Sequence, residues 1–264
     1  CWQILGYGNP NYTNQNYPYP YDIPYVPDDN PCGVYERDFE VKNKWGRVYF
    51  VLEGVSSCAK IFLNGKYVGF TQGSHLEAEF DITDFVVEGK NTIRVDVLKW
   101  CVGSYLEDQD FIRFNGIFRD CYILQRPENH IVDIAISTKE NSILVNADKE
   151  CDITLYSNDG ELLDSKKGLT AEFVLENPIR WNAEKPYLYN VKIERDGEVI
   201  NRKIGFRKIS VSDKGEVLLN GSPIKFRGVN KHDTSKFRGW YQSDEELALD
   251  LKLILMTVRI LFKK

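Results

Sequence analysis

Two aspartates flank a glutamine in the stretch GSYLEDQDFIRFNGIFRDCYIL, which runs from Gly103 to Leu124. Ionised Asp108 and Asp110 would accept hydrogen bonds without donating any, and carboxylate oxygens are hard ligands for metal cations. The same side chains would serve equally as solvated loop residues that accept main-chain hydrogen bonds. From spacing alone, this stretch is either a site for hydroxyl groups and cations or a solvated turn, and the solvated turn is the simpler interpretation.

Histidine and tryptophan supply few further candidates for chemistry. His75 and His130 have no partner at metal-ligand spacing, so we expect them to be structural or exposed. Trp100 and Trp181 lie in strand-like or interdomain contexts, where packing in a core is the expected role. Trp240 fits either a core or an exposed stacking platform.

The composition excludes several classes of protein. The chain has 264 residues and a net charge of −5, with no stripe of Lys and Arg of the kind that binds nucleic acid. It contains neither a long apolar run nor a basic-then-apolar signal pattern, so nothing in it targets a membrane.

The six cysteines lie far apart, without a CxxC pair or a Cys/His set at zinc spacing. Buried free thiols in a reducing cytoplasm are the simplest interpretation. A secreted protein with three bridges is the alternative, because pairing cannot be read from spacing. The cysteines are Cys1, Cys32, Cys58, Cys101, Cys121 and Cys151.

Short alternating strands predict a first sandwich. Residues 8–33 are rich in Pro, Asn, Tyr and Asp and lack periodicity, which predicts an ordered, extended arm. From Tyr35 to about Gln125, apolar and polar residues alternate, and Asn64-Gly65 indicates a tight hairpin. The clearest strands are VYERDFEV, RVYFVLEG, AKIFLNGKYVGF and NTIRVDVLKW, and residues 126–129 make a natural linker.

A second set of strands and then a helix follow. IVDIAIST, SILVNAD, CDITLYS, AEFVLE, LYNVKIER and EVINRKIGFRKISV predict a small antiparallel sandwich. PIKFRGVN (223–230) is a short β-rich run. Ser243 and Glu246 form a capping box for a helix whose apolar face carries Leu247, Leu251, Ile254 and Leu255. One β/α unit cannot cover its own apolar surfaces, so we expect the beginning of a β/α domain whose remainder is absent.

Together these motifs resemble the N-terminal part of the bacterial β-galactosidases of glycoside hydrolase family 2. The resemblance covers nearly the whole chain in order and includes WQILGYGNPNYTN, YDIPYVPDDNPCGVY, LNGKYVGFTQGSHLEAEFDIT, VLKWCVGSYLEDQDFIRFNGIFRD, RWNAEKPYLYNV, IGFRKISV, LLNGSPIKFRGVNKHD and DEELALDLKLI. The family begins some tens of residues before Trp2, and residues 260–264 replace what should follow Val258-Arg259. Both ends are therefore expected to be cut or altered.

The resemblance implies a mainly β chain with three parts. Residues 1–126 would form a jelly-roll sugar-binding sandwich that is incomplete at its N-terminus. Residues 127–213 would form an immunoglobulin-like β-sandwich of the disulfide-free kind. Residues 214–264 would form the first β/α unit of a truncated (β/α)8 TIM barrel.

The resemblance also implies roles for three residues. Asp110 matches the aspartate that binds the galactosyl hydroxyl and a monovalent cation, so Na⁺ is the cofactor expected there. Asp22 stands where many relatives have an asparagine that holds sugar hydroxyls, although an Asx turn before Ile23-Pro24 is an equal alternative. His232 matches a histidine that donates to a sugar hydroxyl, with an exposed loop histidine as the alternative.

No catalytic residue is expected in this chain. A retaining glycosidase needs two carboxyl groups, and in the family both are glutamates on later barrel strands, where Mg²⁺ is also expected. Thr234 and Ser235 stand where histidines are common in relatives, which weakens any inference about the preferred sugar.

The implied function is part of a retaining β-galactosidase that hydrolyses terminal β-D-galactosyl residues. The chain alone is expected to be inactive. The expected partners are a galactoside substrate, the rest of the catalytic barrel and, in the intact parent, further copies of the same chain, in the cytoplasm. The alternatives are a stand-alone, lectin-like carbohydrate-binding module and a purely structural or assembly role.

Overall fold

The computed structural model of the chain describes residues 1–12, 16–107, 109–226, 228 and 230–261, with side chains up to residue 256. Strands dominate. They are β1 (Asn11–Tyr12), β2 (Cys32–Val41), β3 (Arg47–Leu52), β4 (Val55–Ser56), β5 (Cys58–Leu63), β6 (Lys66–Gln72), β7 (Ala78–Asp81), β8 (Gly89–Leu98), β9 (Ile112–Arg113), β10 (Gly116–Ile117), β11 (Cys121–Arg126), β12 (Ile134–Thr138), β13 (Ser142–Tyr156), β14 (Leu162–Val174), β15 (Tyr189–Arg195), β16 (Glu198–Ile204), β17 (Ile209–Val211), β18 (Val217–Leu219) and β19 (Ser222–Pro223). Short 3₁₀ helices span Trp2–Leu5 and Val102–Tyr105, and one α-helix, α1, spans Asp244–Leu261.

The chain folds into two compact units, residues 1–125 with 230–264, and residues 126–229. In the first unit, a four-stranded sheet in the order β2-β8-β5-β6 and a three-stranded sheet in the order β11-β3-β7 share one core. Alternate side chains of each strand enter that core, because successive side chains of a strand point to opposite faces. The fully buried members include Val48, Leu52, Ala59, Ile61, Leu63, Ile82 and Val97.

The predicted Asn-Gly hairpin is confirmed. β5 and β6 pair antiparallel around Asn64 and Gly65, whose φ angles are 51° and 77°. Two consecutive positive φ angles are what a type I′ turn requires, and Asn and Gly reach them at little cost.

The second unit has its own core around two long strands. β12, β13, β15 and β16 follow one another in the sheet, and β14 pairs with β13. The sequence pattern predicts two strands, SILVNAD and CDITLYS, where the structure has the single strand β13. A register shift between Asn146 and Cys151 absorbs the polar residues between them, so both halves pair with β14. The fully buried side chains are Ile143, Val145, Ile153, Leu155, Phe173, Val191, Ile193 and Phe206.

The predicted β-rich run PIKFRGVN differs in the structure. Pro223 ends β19, which pairs with β18, and the described residues from Ile224 to Asn230 are not in a strand. Arg227 and Val229 lie outside the described residues. Only the start of this run pairs with a neighbour, through Pro223 opposite Leu218 and the N–H of Ile224, which donates to the carbonyl of Val217 at 2.9 Å. The described residues beyond Ile224 pair with no strand and are therefore not assigned to one.

The predicted capping box of α1 is confirmed. The main-chain N–H of Ser243 donates to the Glu246 carboxylate at 3.0 Å, and the N–H of Glu246 donates to the Ser243 hydroxyl at 3.3 Å. Hydrogen bonds from the Ser235 hydroxyl and the Ser243 N–H lower the pKa of Glu246. The helix therefore begins where the sequence predicts. In the described part of the chain, no helix has both the length and the apolar character needed to cross a membrane.

Candidate functional site

A buried arginine holds the loop that carries Asp110, which we call the Asp110 loop (residues 101–111). Arg113 is 1% exposed, and its guanidinium donates to the carbonyls of Ser104 at 3.1 Å and Glu107 at 2.8 Å. It also lies 5.6 Å from the centre of the Trp100 ring. Because both carbonyls belong to one loop, a single side chain fixes its path from inside.

The carboxylate of Glu107 links the Asp110 loop to the turn after β6. It accepts hydrogen bonds from the N–H of Ser74 at 2.6 Å and from the Ser74 hydroxyl at 2.7 Å. Ser74 is fully buried and immediately precedes His75. The two hydrogen bonds therefore place His75 beside the loop.

Asp110 itself is exposed on this loop and accepts a hydrogen bond from the hydroxyl of Tyr12. Tyr12 arrives on β1, which pairs with β9 directly after the loop. Asp108, the other aspartate of the acidic stretch, lies outside the described residues. Asp110 thus remains available to solvent while the N-terminal arm orients it.

The segment that carries His232 (residues 230–242, the His232 segment) is anchored on the same unit by Trp240. The indole N–H donates to the carbonyl of Ile112 at 3.0 Å. The indole ring lies 4.7 Å from the His75 ring, 5.1 Å from Phe118 and 5.4 Å from Phe111, measured between ring centres. Trp240 therefore packs within an aromatic cluster but stays half-buried, so it fits both the core and the stacking alternatives.

His232 and two neighbours of Asp110 line one cavity of about 510 Å³, which we call the site cavity. Gln109 and Phe111, on either side of Asp110, contribute to it together with His75 and Trp240. Burial lowers the pKa of His75, and the positive charge of Arg119 lowers it further. The cavity thus combines an aromatic wall with amide and imidazole groups that can hydrogen-bond to hydroxyls.

Two carboxylates of the described residues line the site cavity, and both accept hydrogen bonds from protein groups. Glu107 accepts from Ser74, as described above, and Asp233 accepts from the ammonium of Lys231 at 2.8 Å. Lys231 in turn contacts Asp250 at 3.0 Å, and these carboxylates raise the pKa of Lys231. Neither Glu107 nor Asp233 resembles a free nucleophile or acid.

Asp22 lies in a different cavity of about 570 Å³, with Asn11, Tyr25 and Trp100 among its lining residues. An Asx turn would need the N–H of residue 24, which is a proline and has none. The main chain closes the turn instead, through the N–H of Tyr25 and the carbonyl of Asp22 at 2.8 Å. The Asx-turn interpretation is therefore wrong, and the Asp22 side chain is exposed.

The three predicted residues are consequently not all in one cavity. His232 lines the site cavity, and Asp22 lines the second cavity. Asp110 is connected to both cavities through its neighbours. Gln109 and Phe111, on either side of Asp110, line the site cavity. Tyr12, its hydrogen-bond partner, follows Asn11, which lines the second cavity.

The carboxylate of Asp110 fits a monovalent cation in its donor chemistry, because it is an exposed, hard oxygen ligand beside a tyrosine hydroxyl. Over the described residues, the structure brings no three acidic, histidine or cysteine side chains together as a metal site. Na⁺ at Asp110 therefore remains a prediction. A bound cation would supply charge neutralisation there.

Sequence patterns did not reveal several of the residues that build the site. His75 is exposed, as predicted, but it also lines the site cavity, and Glu107 and Arg113 hold the Asp110 loop in place. In the sequence, the one indication that these residues belong to the site is that His75 lies in the motif FTQGSHLEAEF and that Glu107 and Arg113 lie in the stretch LEDQDFIRF. Trp100, by contrast, is 5% exposed and packs as predicted.

Three protein-family models match the chain in succession. They are "Glycosyl hydrolases family 2, sugar binding domain" over residues 1–127, "Glycosyl hydrolases family 2" over residues 124–207 and "Glycosyl hydrolases family 2, TIM barrel domain" over residues 209–258.

Curated relatives match along almost the whole chain. It is 40% identical to a β-galactosidase of Actinobacillus pleuropneumoniae, over 96% of this chain and 26% of the relative. It is 37% identical to a β-galactosidase of Staphylococcus xylosus, over 96% of this chain and 27% of the relative. The chain thus spans about a quarter of the length of these relatives.

Solved structures share the fold. A β-glucuronidase of an uncultured Clostridium sp. superposes with a TM-score of 0.72 at 23% identity, over 84% of this chain and 42% of that chain. A Bifidobacterium dentium β-glucuronidase complexed with coumarin-3-O-glucuronide gives a TM-score of 0.73 at 21% identity, over 84% and 46%. At these identities the likeness concerns the fold alone.

Proposed function

Since the chain belongs to glycosyl hydrolase family 2, we propose that it forms part of a retaining β-galactosidase and contributes to recognition of the terminal β-D-galactosyl group. The observation that carries this proposal is the site cavity, where His232 meets the residues on either side of Asp110. The names of the relatives at 37–40% identity support galactosides as the substrate class.

The chemistry of the site suits recognition of hydroxyl groups. Asp110 accepts hydrogen bonds, Gln109 both donates and accepts them, and the imidazole of His232 can donate one. The aromatic wall formed by Phe111 and Trp240 provides apolar contact for the carbon face of a sugar. Interactions of this kind that strengthen in the transition state would accelerate glycosidic bond cleavage.

Cleavage itself requires groups that we propose to lie on other parts of the enzyme. A retaining glycosidase uses two carboxyl groups roughly 5–5.5 Å apart, one as acid/base and one as nucleophile. Glu107 and Asp233 are engaged by Ser74 and Lys231, so neither suits those roles. We propose that the acid/base and nucleophile glutamates, and any Mg²⁺, belong to later strands of the barrel.

The charges near the site favour a neutral sugar over a glucuronide. A glucuronyl carboxylate would approach the negative charge of Asp110. Of the described cationic side chains on the cavity, Lys231 is paired with the carboxylate of Asp233, and Arg119 donates to the neutral carbonyl of His75 at 3.1 Å and keeps its charge. Arg119 is therefore the one cation among them that could offset the repulsion. A neutral galactosyl group carries no such penalty.

The test is turnover of a chromogenic β-galactoside by the purified chain. We expect none above the rate of the uncatalysed reaction, because the proposed catalytic carboxyls are supplied elsewhere. Measurable turnover that disappears in Asp110→Ala would contradict the proposed division of labour.

A stand-alone carbohydrate-binding module remains the second candidate function, favoured by the aromatic site cavity. Titrating galactose while following tryptophan fluorescence separates the two proposals. Tight, saturable binding lost in Trp240→Phe would favour the module, and no change in fluorescence would favour the enzyme part.

The remaining partners are also proposals. Leu249, Leu251, Leu253 and Leu255 of α1 are at least half exposed, which supports further barrel elements as the partner of this helix. Assembly with further copies of the parent and a cytoplasmic location stay predictions, as does a purely structural or assembly role. Failure of the chain to join a barrel-containing partner would count against that last role.

A further inference from the structure

Two buried cysteines meet where the Asp110 loop leaves the first sandwich. Cys58 is the first residue of β5 and is 1% exposed, and Cys101 begins the Asp110 loop and is 8% exposed. In the β5–β8 pairing, Cys58 lies opposite Leu98. Cys101, three residues beyond Leu98, therefore passes over the start of β5.

Direct contacts fix this neighbourhood. The Cys101 thiol donates to the carbonyl of Ser57, the residue before Cys58, at 3.7 Å. The N–H of Ser57 donates to the carbonyl of Leu98 at 3.2 Å. The Cys58 and Cys101 side chains also lie close enough to shift each other's pKa. The two sulfur atoms are therefore neighbours within one closed part of the core.

The sheet excludes Cys32 as a disulfide partner for Cys58. Cys32 also lies opposite Leu98, but on β2, the other neighbour of β8. Two strand spacings place its Cα about 9–10 Å from that of Cys58. A disulfide requires Cα atoms within about 7 Å, so Cys32 cannot bridge to Cys58 without moving a strand.

The surroundings give the two thiols different characters. The neighbouring Cys58 thiol lowers the pKa of Cys101, and the Ser104 hydroxyl and the N–H groups of Gly103 and Ser104 act in the same direction. The Cys101 thiol and burial raise the pKa of Cys58. Since the thiolate is the reactive form, Cys101 is the attacking group and Cys58 the second thiol.

We propose that Cys58 and Cys101 are a redox-active thiol pair that a small peroxide converts into an internal disulfide. The Cys101 thiolate attacks one oxygen of hydrogen peroxide, the O–O bond breaks and hydroxide leaves, giving a sulfenic acid. The Cys58 sulfur then displaces the hydroxyl group from Cys101 as the S–S bond forms. The two thiols lose two electrons in total, and the peroxide and the thiol protons leave as two molecules of water.

The bond would join β5 to the first residue of the Asp110 loop. A small, uncharged oxidant suits the site, because both cysteines are buried and a bulky disulfide reagent would reach them poorly. The proposal concerns a modification site and holds whether or not the chain binds a galactoside.

The test is a thiol count with peptide mapping on the purified, reduced chain. After hydrogen peroxide, unfolding and alkylation, we expect two of the six thiols to be lost and a cross-linked peptide pair containing Cys58 and Cys101. Cys101→Ser should abolish the cross-link and leave Cys58 fully alkylated. Cys58→Ser should leave a sulfenic acid on Cys101 that a dimedone-type probe traps.

A matched control is Cys151→Ser, which removes a buried cysteine of the second unit and should leave the cross-link unchanged. Full alkylation of Cys58 and Cys101 after peroxide, or a cross-link between other cysteines that persists in Cys101→Ser, would overturn the proposal. If one serine variant fails to fold, the cross-linked peptide from the unmodified chain still decides the question.

Discussion

The indole N–H of Trp240 donates to the carbonyl of Ile112 at 3.0 Å, across 128 positions of sequence. Ile112 is two residues from Asp110, and Trp240 is eight residues from His232. This one hydrogen bond, within the aromatic cluster of His75, Phe111 and Phe118, therefore connects the two stretches that carry the predicted sugar ligands.

Replacing Trp240 tests that connection. Trp240→Phe keeps a ring but removes the indole donor, so we expect the free energy of unfolding to fall by about 1 kcal/mol. Trp240→Ala also removes the packing of a partly buried ring and should cost about 2–3 kcal/mol, below the values for a fully buried tryptophan. Urea unfolding measures both. Tyr241→Phe, at an exposed neighbouring position, should change stability by less than about 0.5 kcal/mol; equal effects for all three variants would contradict the anchoring role.

Arg113 and Arg119 form a natural pair for comparison, because both lie in the stretch FIRFNGIFRD. Arg113→Met removes the buried donor to Ser104 and Glu107 and leaves both carbonyls without it, so we expect a loss of about 2–4 kcal/mol in unfolding free energy. Arg119→Met changes an exposed side chain and should cost less than about 1 kcal/mol. A smaller loss in Arg113→Met than in Arg119→Met would show that the buried guanidinium does not hold the loop.

Because the pKa of His75 is lowered, we expect the stability of the chain to depend on pH. Its pKa is lowered in the folded chain by burial and by Arg119, so the folded chain favours the neutral ring. The resulting stability is complete above the ordinary histidine pKa of about 6.5 and is lost as the pH falls through the lower, folded-state value. Comparing unfolding free energies at about pH 7 and pH 5 should therefore show a smaller decrease in His75→Gln than in the unchanged chain. An identical decrease in both would exclude this contribution.

Local patterns in the sequence predicted the parts of the fold that neighbouring residues decide. They predicted two strand-rich sandwiches followed by a helix, and the resemblance to family 2 added the sugar-binding and TIM-barrel assignments; the successive family-2 matches confirm this mainly β architecture. The hairpin at Asn64-Gly65 and the capping box of Ser243 and Glu246 follow from turn and cap chemistry over a few residues.

Contacts between distant residues were not predictable in this way. SILVNAD and CDITLYS form the single strand β13 because both pair with β14. β14 is largely polar and exposed, so its sequence gives little sign of this pairing. Nothing local marks Arg113 as buried, since arginine is usually exposed and its partners lie on a loop. The hydrogen bonds of Glu107 to Ser74 and of Trp240 to Ile112 join positions 33 and 128 residues apart, beyond any periodicity.

The role of Asp110 in galactosyl recognition is tested most directly by a complete enzyme built on this chain. In that chimera, the chain replaces the matching quarter of the Actinobacillus pleuropneumoniae β-galactosidase, to which it is 40% identical. The measurement is kcat/KM for a chromogenic β-galactoside and for the matching β-glucuronide, in the chimera and in its Asp110→Asn variant, with folding checked by circular dichroism. We predict that the folded chimera prefers the galactoside and that Asp110→Asn lowers its kcat/KM about 10- to 100-fold, through loss of a charged hydrogen-bond acceptor. A folded chimera that prefers the glucuronide, or whose galactoside kcat/KM is unchanged by Asp110→Asn, would contradict the account.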